Sequence, residues 1–433
     1  MTVRKIKVKG EKLSFLAHAD SAEQLIAGTA TGETPTGWNL KVKGTYLYWV
    51  DNDGAERRKE GTLTGGSRTF GSIKVKGETL LFGDEDGNER SLSAVAIRYA
   101  YVAARDDNSL TVLDCSDPTN ITYLGNLSGT GSPNYLQTVN DVVIAYPYAY
   151  TCSNDGNDGF SIFDISDPTA ITRVGGIIPG DAQDPTYLLN DCHSLIKSED
   201  YVYIACRANG LFVVDVSTPA TPTKAGTYET YGLYHMAKSG NTLYCTGSDA
   251  LIILDITNLG SIALYSRTTG TGSPNYLNNA RGLAINGTDL YVVAEVDDAI
   301  VCWNVTDPTN PTTRSSLAGA GSPNYLNTAQ VVLVSGNFAY VGVNGEHGVT
   351  VIDITDPDAI SYHGGVYDSS PWTYCYEIYD LKKSGNYLFI ANYYSGVSSV
   401  DISDPSSPSF TGNIKGAGSP NYLDYCHGLD LQD

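Results

Sequence analysis

One apolar strand that ends in Asp and runs into a Ser/Thr-Asp-Pro turn recurs seven times between residues 110 and 405, and this repeat constrains the fold more than any other feature. The copies are LTVLDCSDP, FSIFDISDP, LFVVDVSTP, LIILDITNL, AIVCWNVTDP, VTVIDITDP and SSVDISDP. Their shared position falls at Asp114, Asp164, Asp215, Asp255, Asn304, Asp353 and Asp401, at spacings of 50, 51, 40, 49, 49 and 48. A period of that size is one four-stranded blade, a unit that buries its apolar faces only against its neighbours. The expected fold class is all-β: a seven-bladed β-propeller over residues 94–433, preceded by a small β-repeat domain over residues 1–93.

Each unit reads as four strands, a to d. Strand b is rich in Tyr and Val (YAYVAA, YVYIAC, FAYVGV), as a half-buried sheet position requires. The Asp-Pro step ends strand c, because Pro donates no ladder hydrogen bond and Asp bonds its own turn backbone. Strand a places Asn140, His193, Tyr234, Arg281, Gln330, Tyr379 and His427 at one register. The seventh strand a, in CHGLDLQD, ends the chain, whereas YAYVAA at 99–104 begins at strand b. The C-terminal strand is therefore expected to complete the first blade, closing the ring and removing a sheet edge.

The segments VVDVS, VIDIT and VDISDPSSP resemble the LVIVD-repeat propellers, and the resemblance spans residues 95–433. It implies architecture more than activity, since that family is mostly described as bacterial and archaeal surface or extracellular proteins with no common catalytic residue. Two copies depart from the pattern: ITNLGS lacks the Asp-Pro, and Asn304 replaces Asp.

A smaller repeat fills the N-terminal region: IKVKGEKLSFL, LKVKGTYLYWV and IKVKGETLLFG, centred on Val8, Val42 and Val75. Asp-Gly turns follow copies two and three (DNDGAERR, DEDGNERS), so each unit reads as a strand pair joined at Asp-Gly. With so little apolar content this domain is expected to lean on a partner or on copies of itself, and it resembles the short β repeats at the attachment ends of tailed-phage appendage proteins.

Charge separates the two regions. Residues 1–93 hold 14 Lys/Arg against 13 Asp/Glu, and the remainder holds 13 against 35. A propeller at −22 repels phosphate backbones and anionic lipid, so neither nucleic acid nor a membrane surface is an expected partner. No apolar stretch approaches a membrane span and no Sec-type signal is visible, so a soluble chain without membrane insertion is expected. The eight cysteines are scattered singly, without CxxC or zinc-ligand spacing, and read as buried thiols rather than metal ligands.

Three groups of residues are candidate sites. The loops GTGSPNYL, GAGSPNYL and QDPTYL, between strand d and the next strand a, bring Tyr135, Tyr187, Tyr276, Tyr325 and Tyr422, whose rings suit stacking on sugars. A turn whose Tyr-Leu pair plugs adjacent blades is the structural alternative. The strand-a ring, with His193, Arg281 and His427 as its chemically distinctive members, is where the repeats differ and is expected to line the central channel, holding either a ligand or water. The acidic loops RDDNS (105–109), SNDGNDG (153–159) and VDDA (296–299), with Asp51, Asp53, Asp84 and Asp86 nearer the N-terminus, lack EF-hand order and read as solvated turns rather than calcium sites. No nucleophile, Walker or metalloprotease motif occurs, so no catalytic residue, metal or cofactor is expected.

The expected role is that of a non-enzymatic structural or binding protein associated with a virion, as a decoration, fibre or tail protein. Its N-terminal domain would hold virion or surface proteins, self-assembly into a homo-oligomer is plausible, and its propeller would meet a glycan or host receptor. A cellular surface or filament protein is the first alternative, and a polysaccharide-active propeller enzyme the second.

Overall fold

The computed structural model describes residues 99–154, 159–369 and 373–432 in full, and only the strand backbone within 3–91. The chain divides into two compact units, Met1–Val95 and Ala96–Asp433. In the first unit the strands on either side of each KVKG glycine pair antiparallel: Val3–Lys9 with Lys12–Ala17, Asn39–Lys43 with Tyr46–Val50, and Ser72–Lys76 with Thr79–Gly83. The segment read from sequence as one strand is thus two. Across the Asp-Gly segment of the third copy Thr79–Gly83 also pairs with Glu89–Ser91. The anchoring role expected of this unit, and Asp51, Asp53, Asp84 and Asp86, lie outside the described residues.

Among its described residues the second unit is all-β apart from one 3-10 turn at Leu259–Ser261, and it forms seven four-stranded antiparallel blades. Their inner strands are Cys426–Gln432, Val139–Ala145, Cys192–Ser198, Met236–Ser239, Ala280–Asn286, Ala329–Ser335 and Ile378–Ser384. Each lies against the next, and the last meets the first, so the ring is closed. Blade 1 is composite, as the sequence implies: Cys426–Gln432 pairs with Tyr99–Ala104, from Tyr99 opposite Gln432 to Ala104 opposite Cys426.

Closure follows from where the apolar residues sit. Strands b and c are buried along nearly their whole length, which makes each blade a slab apolar on both faces. Such slabs are stable only when stacked, and seven separate clusters of buried side chains fill the seven junctions. Each fully buried Leu or Phe contributes about 1.5–3 kcal/mol of transfer free energy. The inner strands approach closely enough to require glycine at two points. A Cβ on Gly428 would lie 2.6 Å from the Asp141 Cα, and one on Gly282 would lie 2.7 Å from the Val331 Cα.

The seven turn residues share one role. At Asp114, Asp164, Asp215, Asp255, Asn304, Asp353 and Asp401 the side-chain Oδ1 accepts the N–H two residues on, at 2.8–2.9 Å. Asn304 fits because the turn uses a carbonyl-type acceptor rather than a charge. In the fourth copy Asn258 takes the place of the missing Asp, accepting from the Gly260 N–H at 3.1 Å.

Six cysteines are buried thiols, as the sequence suggested. Cys192 and Cys206 instead form a disulfide, because the a–b register of blade 3 sets them directly opposite, 3.9 Å apart at Cα. Burial pushes the remaining thiols up, Cys115 to about 12, which makes them unreactive.

Candidate functional site at the channel mouth

On the face where strand a begins and strand b ends, a backbone device repeats in six blades. Thr138, Asp191, Asn279, Thr328, Glu377 and Tyr425, just before or at the start of strand a, all adopt left-handed backbone, with φ between 45° and 56°. The carbonyl of each accepts the N–H of the residue just beyond strand b, namely Asn154, Arg207, Glu295, Asn344, Tyr393 and Arg105, at 2.8–3.1 Å. The backbone is constant while the side chains change from blade to blade. Varied side chains are thereby fixed around one opening, a cavity of about 520 Å³.

The cavity gathers Arg105, Arg207, Arg281, Glu295, Glu377 and three histidines. Arg207 Nε donates to Asp191 Oδ2 at 2.6 Å, and Arg281 Nε donates to Glu295 Oε2 at 2.8 Å. Asp191 also faces His193 Nε2 at 3.4 Å. Although burial raises the Asp191 carboxyl, His193 and Arg207 hold it below its usual range. Burial, only partly offset by Asp191, lowers His193, and burial together with Arg105 holds His427 well below the usual imidazole range, so both rings are neutral near pH 7. Burial raises the Glu377 carboxyl. The Arg105 guanidinium has no ion-pair partner among the described residues.

One side of the mouth is aromatic. His427 stacks on Tyr379 at 4.0 Å, Tyr393 lies 5.6 Å from Tyr379, and Tyr394 lies 4.7 Å from Tyr393. Tyr376 bridges to Tyr394 at 5.2 Å and to His347 at 5.1 Å, and the Tyr425 and Tyr394 hydroxyls meet at 3.1 Å. Opposite this rack, Arg281 stands 4.2 Å over the Tyr234 ring, and His193 meets the same ring edge-on at 5.3 Å.

Below the mouth the channel continues as a cavity of about 350 Å³ that contains a buried charge cluster absent from the sequence reading. Asp380 receives Lys382 Nζ on both oxygens, at 2.9 and 2.7 Å. Asp141, Asp380 and Asp430 each cap the N–H of the next residue of their own strand and reach across to the neighbouring inner strand, at Leu195, Leu429 and Ile144. These carboxylates stitch blades 7, 1, 2 and 3 together. Burial, with Asp380 nearby, raises the Asp141 carboxyl, and burial raises that of Asp430.

Six of the seven residues of the expected strand-a ring line the channel: His193, Arg281, Gln330, Tyr379 and His427 face the mouth, and Asn140 faces the deeper cavity, whereas Tyr234 precedes its strand, Met236–Ser239, lines neither cavity and packs against Arg281 and His193. The repeated tyrosines are placed elsewhere. None of Tyr135, Tyr187, Tyr276, Tyr325 and Tyr422 lines the mouth, and all five have left-handed backbone, with φ of 43° to 57°. In the four SPNYL loops the Tyr N–H bonds the carbonyl four residues back, and the following Leu136, Leu277, Leu326 or Leu423 plugs a blade junction. Tyr135 lies under Arg173 at 4.5 Å, and Tyr325 packs on Tyr362 and Tyr367.

The acidic loops are tied to backbone rather than merely solvated. Asp107 accepts from Gly418 and Asp424, Asp297 from Gly272 and Asn278, and Asp298 from Thr328. The core of SNDGNDG, 155–158, lies outside the described residues. Among the described residues no group of His, Cys, Asp and Glu is arranged to hold a metal.

The residues missed by sequence reasoning are those beyond strand b and those just before strand a. Their signal was the variability of Arg105, Asn154, Arg207, Glu295, Asn344 and Tyr393 at one repeat position.

The LVIVD repeat model matches residues 93–128, 138–177, 191–230, 328–366 and 379–415, which are blades 1, 2, 3, 6 and 7. The unmatched blades 4 and 5 carry Asn258 and Asn304 at positions where the repeat has Asp. No curated protein matches the chain. Among solved structures, a protein of unknown function from Desulfotomaculum acetoxidans is 12% identical, with a TM-score of 0.58 over 77% of this chain and 98% of that one. A protein from Lactobacillus plantarum is 13% identical, with a TM-score of 0.58 over 77% and 99%. A 6-phosphogluconolactonase candidate from Bacteroides fragilis is 11% identical, with a TM-score of 0.59 over 77% and 98%. At such identities the likeness carries the fold alone. With its repeat matches and its closed ring of seven blades, the chain is a β-propeller of the LVIVD-repeat type.

Proposed function

We propose that the propeller is a non-catalytic carbohydrate-binding module, displayed on a virion or other surface, with the channel mouth as its binding face. The observation that carries this reading is the rack formed by Tyr376, Tyr379, Tyr393, Tyr394 and Tyr425 beside a cavity lined with amide, imidazole and guanidinium groups. Pyranose rings present apolar C–H faces to aromatic rings and hydroxyls to fixed polar groups, and this wall offers both. Exposure agrees: of the large apolar side chains most open to solvent, Tyr187, Tyr231, Val296 and Tyr394 sit on loops of the mouth face. Charge agrees too, since a propeller at −22 disfavours nucleic acid and anionic lipid.

Screening the full chain against a panel of neutral and acidic oligosaccharides tests the reading. Binding that is lost in Tyr394→Ala and Tyr376→Ala supports it, and a folded chain that binds no member overturns it. Immunogold labelling of native material tests display: gold on phage-like particles supports the virion setting, and gold on cell envelopes or filaments favours the cellular surface alternative.

A second reading, cleavage of a polysaccharide, is favoured by the convergence of Glu295 and Glu377 in the same cavity, with the Glu377 carboxyl raised by burial and by Glu295. Release of new sugar ends that stops in Glu377→Gln would establish it in place of simple binding.

A further inference from the structure

Basic side chains are scarce in the propeller, and a few of them stand on its axis. Of the 13 Lys and Arg after residue 93, Arg105, Arg207, Arg281 and Lys382 line the channel. Three of these four are neutralised in place: Arg207 by Asp191, Arg281 by Glu295 and Lys382 by Asp380. Arg105 is the exception among the described residues. Its backbone N–H is fixed by the Tyr425 carbonyl at 2.9 Å, which sets its side chain at the edge of the tyrosine rack. An unpaired guanidinium in a recessed cavity is a standing attraction for a planar anion, which it grips with two parallel N–H donors.

A second group at the same wall lacks a partner. His427, only 8% exposed and stacked on Tyr379, leaves its Nε2 without a hydrogen bond. A buried polar atom left unsatisfied is destabilising, so a ligand hydroxyl that fills the position is favoured. A hydroxyl serves whether that nitrogen carries the proton or not, because it both donates and accepts. Arg105, His427 and the rack therefore present one carboxylate position, one hydroxyl position and a stacking wall on the same side of one cavity.

We infer that the channel mouth selects carboxylated sugars, a hexuronate or a sialate, with Arg105 holding the carboxylate, His427 a ring hydroxyl and the tyrosine rack the pyranose face. This rests on the carbohydrate reading above and narrows it to acidic sugars. The acidic exterior of the propeller opposes the approach of such a ligand from a distance, so association is expected to quicken when salt screens the long-range repulsion, while the contact with Arg105 supplies the retention.

Titration calorimetry on the full chain tests the inference, using a glucuronate oligosaccharide and a sialylated lactose, each beside its carboxyl-reduced neutral counterpart. The expected result is that at least one acidic probe binds about tenfold more tightly than its reduced form. Arg105→Ala should abolish that preference, the acidic probe and its reduced form then binding alike, with the melting temperature unchanged. Arg105→Lys should restore part of it, since an ammonium supplies charge without the fork. Whichever probe shows the preference identifies the source of the carboxylate. Equal binding of acidic and reduced forms, or a preference that survives Arg105→Ala, overturns the inference and leaves a neutral-sugar site standing. If no sugar of either kind binds to folded protein, the carbohydrate reading itself fails.

Discussion

The Asp430 carboxylate, on the last strand of the chain, accepts the backbone N–H of Ile144 on the inner strand of blade 2 at 2.8 Å, joining residues 286 apart in sequence. The ring is therefore held shut by side-chain bonds as well as by the pairing of Cys426–Gln432 with Tyr99–Ala104. Removing residues 426–433 should do more than shorten the protein. It bares the strand edge at Tyr99–Ala104 and takes Cys426, Leu429 and Leu431 out of the cluster between blades 7 and 1, and the expected outcome is loss of cooperative melting with aggregation. Leu429→Ala is the graded version: the side chain is fully buried, and its truncation should cost about 2–5 kcal/mol by chemical denaturation.

The repeated turn allows a cleaner test of mechanism. Asp353 accepts the Thr355 N–H at 2.8 Å on an exposed loop, and Asn304 makes the equivalent bond in blade 5. Asp353→Asn should be close to neutral, because the acceptor is kept. Asp353→Ala should cost about 1 kcal/mol, the usual price of losing a side-chain acceptor for a turn or cap N–H. Equal losses in the two variants would show that charge rather than the acceptor holds the turn.

Asp141 gives a pH test. Burial and the nearby Asp380 lift its carboxyl from 3.8 to about 7, which means that the folded protein holds this proton more tightly than the unfolded chain. A group of this kind favours folding most below pH 4, and that contribution is lost as pH rises from about 4 to about 7. His235 runs the other way: burial lowers it from 6.5 to about 3, so its contribution is present above 6.5 and is lost as pH falls toward 3. The two slopes oppose each other, so each needs its own variant. Relative to wild type, Asp141→Asn should gain melting temperature steadily from pH 4 to pH 7, and His235→Gln should gain it as pH falls from 6.5. The loss of an acceptor at Asp141 shifts the whole curve without tilting it, which keeps the slope as the readout.

Much of this architecture was legible in the chain, and the reason is the repeat itself. A propeller blade is specified locally: the apolar run of strand c, the acceptor that ends it and the Leu that plugs the junction lie within about 50 residues, so seven copies display the rule repeatedly. The composite first blade was legible for the same reason, since CHGLDLQD has strand-a character with no strand b after it. The mouth was half legible. Its strand-a ring shows as a position that changes where everything around it repeats. The residues beyond strand b vary as well, but it is the carbonyl bond from a left-handed residue in another part of the blade that brings Arg105 or Tyr393 to the opening, and the sequence carries no mark of that bond. Asp141, Asp380, Lys382 and Asp430 escaped for a related reason: a charged residue in an inner strand looks solvent-facing until ring closure buries it. The repeated tyrosines misled because repetition marks a structural need, and the left-handed backbone of Tyr135 and its equivalents meets that need.

The disulfide links stability to the mouth. Cys192 and Cys206 stand opposite each other on strands a and b of blade 3, and their sequence neighbours Asp191 and Arg207 form the ion pair at the rim. Peptide mapping without reductant should recover this pair and find Cys115, Cys152, Cys245, Cys302, Cys375 and Cys426 as thiols once the protein is unfolded. Closing a loop with a sequence separation of 14 corresponds to about 3 kcal/mol in the chain-entropy account. Part of that is already spent, because the hairpin ladder from Cys192 to Ser198 restrains the same loop. Cys192→Ser with Cys206→Ser should therefore lower stability by about 1–3 kcal/mol. The same double variant should weaken ligand binding at the mouth, because the bridge fixes the two strand ends that carry Asp191 and Arg207. A double variant that loses stability but binds as wild type would show that the ion pair holds the rim alone.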